Sequence, residues 1–151
     1  AIQSAGRQMK KLLWILVIGL FLNSSNAFSD AINDYIFTNL QEDYTNCYCY
    51  YKISEEGVKR TKTSLKDEAV KKLAEAAERS LMGAFTIGEE INMKQEAMTA
   101  RVKLSLESMK KEVDEDYVNI SILIDKYGYM CRDLINDPKS RVDYWRQKYS
   151  E

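Results

Sequence analysis

The three cysteines are the residues best suited to chemistry in this sequence, and they are Cys47, Cys49 and Cys131. In an oxidising compartment two of them can form a disulfide. Cys47 and Cys49 lie about 200° apart around a helix, so they cannot bond to each other without breaking it. The sequence therefore favours a Cys47–Cys131 bridge with Cys49 as a free thiol, and it leaves a Cys49–Cys131 bridge as the alternative.

The Cys-x-Cys pair also suggests a second kind of site, because thiolates bind soft metals such as copper(I). Five methionines could add thioether ligands: Met82, Met93, Met98, Met109 and Met130. Methionines at helical spacing are usually gap-filling core residues, however. We therefore expect no metal and no other cofactor. A small-molecule or metal carrier, with its ligand between the helices near Cys49, is the alternative function.

The sequence contains no histidine. This absence excludes Ser-His and Cys-His nucleophiles, His-ligated haem, the usual zinc sites and the Glu-x-x-His di-iron pattern. No pair of carboxylates has a spacing that singles it out for acid–base catalysis. We therefore expect that the protein is not an enzyme.

Aromatic side chains are the second group of candidate functional residues. Tyr44, Tyr48 and Tyr51 line one side of a predicted helix, and Trp145 and Tyr149 lie on one side of another near the end of the sequence. Tyrosine and tryptophan are frequent hot spots of protein interfaces, but amphipathic helices also use them for packing. The pattern favours packing, and a partner-binding face is the alternative role of these five residues.

The spacing of the apolar residues predicts an all-α fold. Stripes at intervals of three and four residues indicate four main helices followed by a short C-terminal helix. The polar stretch 59–63, a break marked by Gly88 and Asn92, and the acidic turn 114–116 separate the helices. Ser64 is the expected N-terminal cap of the second helix, and the fourth is expected to stop before Pro138. These elements together predict a bundle of about four helices plus a short C-terminal helix.

The N-terminus has the pattern of an export signal. Basic residues precede an unbroken apolar run, 12–22, and the small residues Ser25 and Ala27 follow it. As a helix, this run covers roughly 16 Å of the ~30 Å hydrocarbon core, which is too short for a membrane anchor. We therefore assign 1–27 to upstream residues and a cleaved signal peptide, and 28–151 to a single helical domain. The expected location is the periplasm or the extracellular medium, with no membrane span after cleavage.

The chain that follows the signal is acidic. The sequence has 22 basic and 23 acidic residues, and three of the basic ones precede Ala27, so the remainder carries a formal net charge of −4. Nucleic-acid binding requires a basic face, so we expect no nucleic-acid partner. The leading hypothesis is a non-catalytic protein that binds another protein or an envelope component through a helical face.

Short sequence elements resemble a loose group of uncharacterised exported helical proteins of Gram-negative bacteria. The resembling residues are Cys47 with Tyr50-Tyr51, Asn119-Ile120-Ser121-Ile122-Leu123, Lys126-Tyr127, Cys131 and Tyr144-Trp145. The resemblance implies a periplasmic location and agrees with a Cys47–Cys131 bridge. It implies no particular activity.

Overall fold

The structure is a computed structural model that describes residues 27–62 and 64–151. All regular elements of these residues are helical, which confirms the predicted all-α class. The five main helices are α1 (Ala27–Lys59), α2 (Lys66–Glu90), α3 (Gln95–Glu112), α4 (121–136) and α5 (Pro138–Tyr149). None of the helices in the described part of the chain is long and apolar enough to cross a membrane.

The structure divides at Asn33: the described residues 27–33 belong to one unit, and residues 34–151 form a second, compact unit. Of the first unit, the described residues are those that begin α1. The predicted signal peptide lies outside the described residues except for Ala27. All contacts discussed below belong to the second unit.

Within the second unit, α1 contacts each of the other four helices. The contacting pairs are Tyr44 with Gly83 of α2, Gln41 with Arg101 of α3, Cys47 with Cys131 of α4, and Asp43 with Arg141 of α5. The apolar stripe of α1 predicts that one side of this helix faces the core. In the structure, α1 instead contacts all four of the other main helices.

Buried polar residues explain how α1 can be surrounded although its sequence is amphipathic. Gln41, Asp43 and Thr45 are buried between the apolar positions of the helix. The Gln41 Oε1 atom accepts a hydrogen bond of 2.8 Å from Arg101, and the Thr45 hydroxyl donates to the Gln41 carbonyl oxygen at 2.8 Å. Buried polar groups with partners avoid the cost of lost hydration. Periodicity alone assigns such residues to the solvent side.

The turns before and after α3 agree with the predicted breaks. Asn92 follows α2 in the left-handed region, with a φ of 56°, and the Met93 N–H donates to the Gly88 carbonyl at 2.8 Å. Asp114 follows α3 with a φ of 52°, and the Glu115 N–H donates to the Lys110 carbonyl at 2.8 Å. In each turn these bonds satisfy carbonyl groups that the end of a helix leaves without partners.

Two helix starts differ from the sequence prediction, which places them at Ser64 and Ser140. α2 begins after Leu65, and no side chain caps it, so the predicted cap at Ser64 is wrong. α5 begins at Pro138 itself, and the Asp137 side chain accepts a hydrogen bond from the Ser140 N–H at 3.4 Å. Proline fits the first turn of a helix because the N–H group that it lacks would have no intrahelical acceptor there. Pro138 therefore starts the last helix as well as ending the fourth.

The fourth helical stretch is less regular than its apolar stripe predicts. A 3₁₀ turn, Tyr117–Ile120, leads into α4, and residues Ile124–Gly128 of α4 have π-helical hydrogen bonding. At Gly128 an added Cβ would lie 3.3 Å from the Tyr50 hydroxyl of α1. The widened turn therefore lies against α1 at a point where the backbone comes close to a tyrosine.

Candidate functional site

A disulfide joins α1 to α4. The Sγ atoms of Cys47 and Cys131 are 2.09 Å apart, the Cα atoms are 5.2 Å apart, and both side chains are fully buried. The Met130 sulfur lies 3.6 Å from the Cys47 sulfur. Of the two bridges that the sequence leaves open, the structure contains the Cys47–Cys131 pairing.

Cys49 is the free thiol of the described residues, and it faces α3. Its side chain is fully buried, and its Sγ donates to the Val102 carbonyl oxygen at 3.4 Å. Burial raises the pKa of Cys49 to about 11, against a smaller lowering by a hydrogen bond with Ser105. The thiolate, which is the form that attacks disulfides and binds metals, is therefore scarce at neutral pH.

The carrier alternative requires soft ligands around Cys49. The contacts found for the methionines lie elsewhere: Met130 is beside Cys47, and Met98 fills the space at Gly88. Residues 27–62 and 64–151 contain no group of three or more cysteine and acidic side chains that could hold a metal ion.

The burial of Cys49 leads to a prediction about its reactivity. We expect the thiol to react with iodoacetamide at pH 8 roughly 100-fold more slowly in the folded protein than after unfolding without reductant. Because the pKa is raised, the rate in the folded protein should keep rising with pH towards about 11. The measurement is the intact mass during alkylation, with the reduced and unfolded protein as the control that takes up three alkyl groups. Equal rates in the two states would contradict the burial of this thiol.

The tyrosine stripe of α1 lies mostly in the core. Tyr44 is 1% exposed, and its ring packs against the α2 backbone at Gly83. Tyr51 is buried too, and burial raises its pKa to about 12. Only Tyr48 keeps part of its ring at the surface. Tyr44 and Tyr51 therefore have the packing role that the sequence analysis favoured.

The aromatic residues of α5 lie against α1. The Asp43 carboxylate of α1 accepts hydrogen bonds from Arg141 at 2.7 and 3.1 Å and from the Trp145 indole N–H at 2.6 Å. The Tyr35 ring contacts the Trp145 ring at a centroid distance of 6.1 Å and the Tyr149 ring at 5.2 Å. Trp145 and Tyr149 are therefore partly covered by the chain itself, and they contact α1.

The largest exposed apolar residues of the α4 region were not among the predicted site residues. They are Val118, Ile122, Ile124 and Tyr129, which are 83%, 46%, 46% and 70% exposed. We refer to these four side chains as the 118–129 surface. Single exposed apolar residues are ordinary, but four of them in one short stretch of chain make this stretch a candidate binding region.

Charged side chains border the 118–129 surface. Lys126 pairs with Glu112 of α3 at 2.8 Å, which raises the pKa of Lys126, and the Arg132 guanidinium lies 5.1 Å from the centre of the Tyr129 ring. Arg132 also pairs with Asp133 at 3.0 Å. An apolar centre with a charged rim is the arrangement found in many protein interfaces.

The sequence contains an indication of the 118–129 surface, but a search for a single apolar stripe along the helix does not detect it. Ile122 and Ile124 are adjacent to Leu123, which is fully buried and belongs to the predicted stripe. A helix with one buried face has no packing use for apolar residues on the other sides. Ile122 and Ile124 are therefore apolar residues that the core does not cover completely.

We compared the chain with descriptions of known protein families, with curated proteins and with solved structures, and none of them matches. The resemblance to exported proteins of Gram-negative bacteria stays a prediction.

Proposed function

We propose that this protein is an exported, non-catalytic binding protein that holds a protein partner on the 118–129 surface. The observation that carries the proposal is the exposure of Val118, Ile122, Ile124 and Tyr129 in one short stretch of chain. Removing such side chains from water on binding a partner is favourable by up to about 1.5–3 kcal/mol for each one that becomes fully buried. Tyr129 with Arg132 adds two residue types that are frequent interface hot spots.

The disulfide supports this proposal in two ways. It forms in oxidising compartments, which agrees with export to the periplasm or beyond. It also lies close to the proposed binding surface, because Cys131 follows Tyr129 by two residues. A surface held rigid before binding loses less conformational entropy when the partner arrives.

The absence of catalysis is part of the proposal and has its own support. The sequence has no histidine, and its free thiol, Cys49, is buried with a raised pKa. A Ser-His or a Cys-His nucleophile cannot be assembled from these residues. An envelope component other than a protein is the competing ligand, and the experiment below separates the two.

The double variant Val118→Glu/Ile122→Glu tests the binding surface. Its expected effect is a loss of about 2–4 kcal/mol in partner binding, which is roughly 30- to 1,000-fold in Kd. The partner is first isolated from periplasmic extract by stoichiometric capture and is then titrated as a purified protein by calorimetry. Leu65→Glu/Leu104→Glu is the matched control, because it charges two exposed apolar residues outside this surface, 69% and 65% exposed.

Three outcomes contradict the proposal. They are equal loss of binding by both double variants, unchanged binding by Val118→Glu/Ile122→Glu, and binding of lipid vesicles or cell-wall fragments in place of a protein. The chain is its own partner if it self-associates with increasing concentration and Val118→Glu/Ile122→Glu abolishes this association.

Export has a separate test in the intact mass of protein recovered from the expressing cell. A chain that starts at Phe28, with one bridge and one free thiol, supports the proposal. An unprocessed chain with three free thiols contradicts it.

A further inference from the structure

The last helix, α5, covers a groove on α1 and runs antiparallel to it. Arg141, near the start of α5, contacts Asp43, whereas Tyr149, at its end, contacts Tyr35 eight residues earlier in α1. Trp145 lies between them and contacts both α1 residues. The groove therefore consists of a buried carboxylate at one end and a tyrosine ring at the other.

Little apolar burial holds α5 in this groove. Val142 is its single buried residue. Its contacts with α1 are the Asp43–Arg141 pair, in which the Arg141 side chain is 20% exposed, and the partly exposed rings of Trp145 and Tyr149. The Asp43–Arg141 ion pair fixes the orientation of α5 more than it adds to the free energy of its contact with α1, because both charges become hydrated when the helices separate. Terminal elements with few buried apolar contacts are the ones that open locally below the free energy of global unfolding.

The covalent structure confines such an opening to α5. Cys131 fixes α4 to Cys47 of α1 a few residues before the helix ends at Asn136. Asp137 is the single residue between α4 and α5, and it has an extended φ of −141°. Pro138 prevents α5 from continuing α4 as one regular helix. The boundary between a fixed α4 and a separable α5 is therefore at Asp137.

We propose that α5 is a displaceable segment, and that the groove it covers binds a helix of a partner protein that carries Arg and Trp four residues apart. The chemistry of the partner follows from the contacts of α5. The Asp43 carboxylate requires a guanidinium in bidentate geometry and an indole N–H, and Tyr35 requires an aromatic ring. The groove does not include the 118–129 surface, so this inference is independent of the proposed function.

Hydrogen exchange of the full chain tests the opening. We expect the amide protons of α5 to be at least about 100-fold less protected than those of α1 around Cys47. The Arg141→Ala variant should lose further protection in α5 alone. Lys139→Ala is the matched control, because Lys139 pairs with Asp143 within α5 and makes no contact with the groove in the described structure. Exchange of α5 at the rate of global unfolding overturns the proposal, and so does unfolding of the whole chain in Arg141→Ala.

Binding of a labelled peptide with the sequence 137–151 tests the groove. The Arg141→Ala chain should bind this peptide at least about tenfold more tightly than the native chain, because its own α5 competes less well. Adding Asp43→Asn should abolish that gain, and a peptide with Trp145→Ala should bind at least about tenfold more weakly. Equal binding by the native and Arg141→Ala chains overturns the proposal, as does binding that does not depend on Asp43.

Discussion

Replacing Cys47 and Cys131 together by alanine is expected to lower the free energy of unfolding by about 2–5 kcal/mol. The bridge closes a loop with a sequence separation of 84, and in the chain-entropy description such a loop is worth about 4.5 kcal/mol. Both sulfur atoms are fully buried, so part of the loss also comes from packing. The measurement is urea denaturation of the native and double-variant proteins.

The matched control for this prediction is Cys49→Ala. It removes a buried sulfur of the same helix without breaking a covalent link, so its cost measures the packing contribution for one side chain. The native protein treated with reductant is a second control. A double variant that is no less stable than Cys49→Ala would show that the bridge does not stabilise the folded state.

Replacing Gly83 by alanine is expected to lower the free energy of unfolding by about 1–3 kcal/mol. An added Cβ would lie 2.7 Å from Cδ1 and 2.8 Å from Cε1 of the Tyr44 ring, closer than real Cβ atoms approach. The ring is almost fully buried between helices and cannot move away without displacing its neighbours. Replacing glycine by alanine inside a helix normally raises the free energy of unfolding, so a decrease at Gly83 is the informative result.

Gly57→Ala provides the comparison at a helical glycine that has space. Its added Cβ would meet Tyr117 Cδ1 at 3.5 Å, which is an ordinary contact, so we expect a gain of about 0.5–1 kcal/mol. Denaturation curves of the two single variants and the native protein give both numbers. A stabilising Gly83→Ala would mean that α1 and α2 are further apart than the structure places them.

Together these two predictions test how α1 is held by its neighbours. The disulfide fixes α4 to α1, and the close approach at Gly83 sets the position of α2 on the same helix. Hydrogen bonds from Arg101 and Ser105 to Gln41 and Asn46 connect α3 to it. The 118–129 surface and the α5 groove are both built on this framework.

Part of the candidate site was accessible from sequence, and part was not. The favoured Cys47–Cys131 pairing is present because both cysteines lie on the apolar stripes of their helices, and apolar stripes face each other in a folded protein. The Asp43–Arg141–Trp145 contact could not be predicted, because it joins residues about 100 positions apart and nothing in the spacing marks Asp43 as buried. The apolar residues beside Leu123 are visible in the sequence, but which of them are exposed depends on which side of α4 is covered.

The sequence by itself determined the helices, because the period of the apolar residues and the positions of turn residues are local properties of the chain. It also indicated that an intrachain bridge includes Cys131, since Cys47 and Cys49 point to different sides of one helix. Only the tertiary structure decided which aromatic residues are covered and which are exposed. Tyr44 is in the core and Tyr129 is at the surface, and that difference depends on which helices pack against each side of α1 and α4. Periodicity identifies a face of a helix, but burial depends on what lies opposite that face.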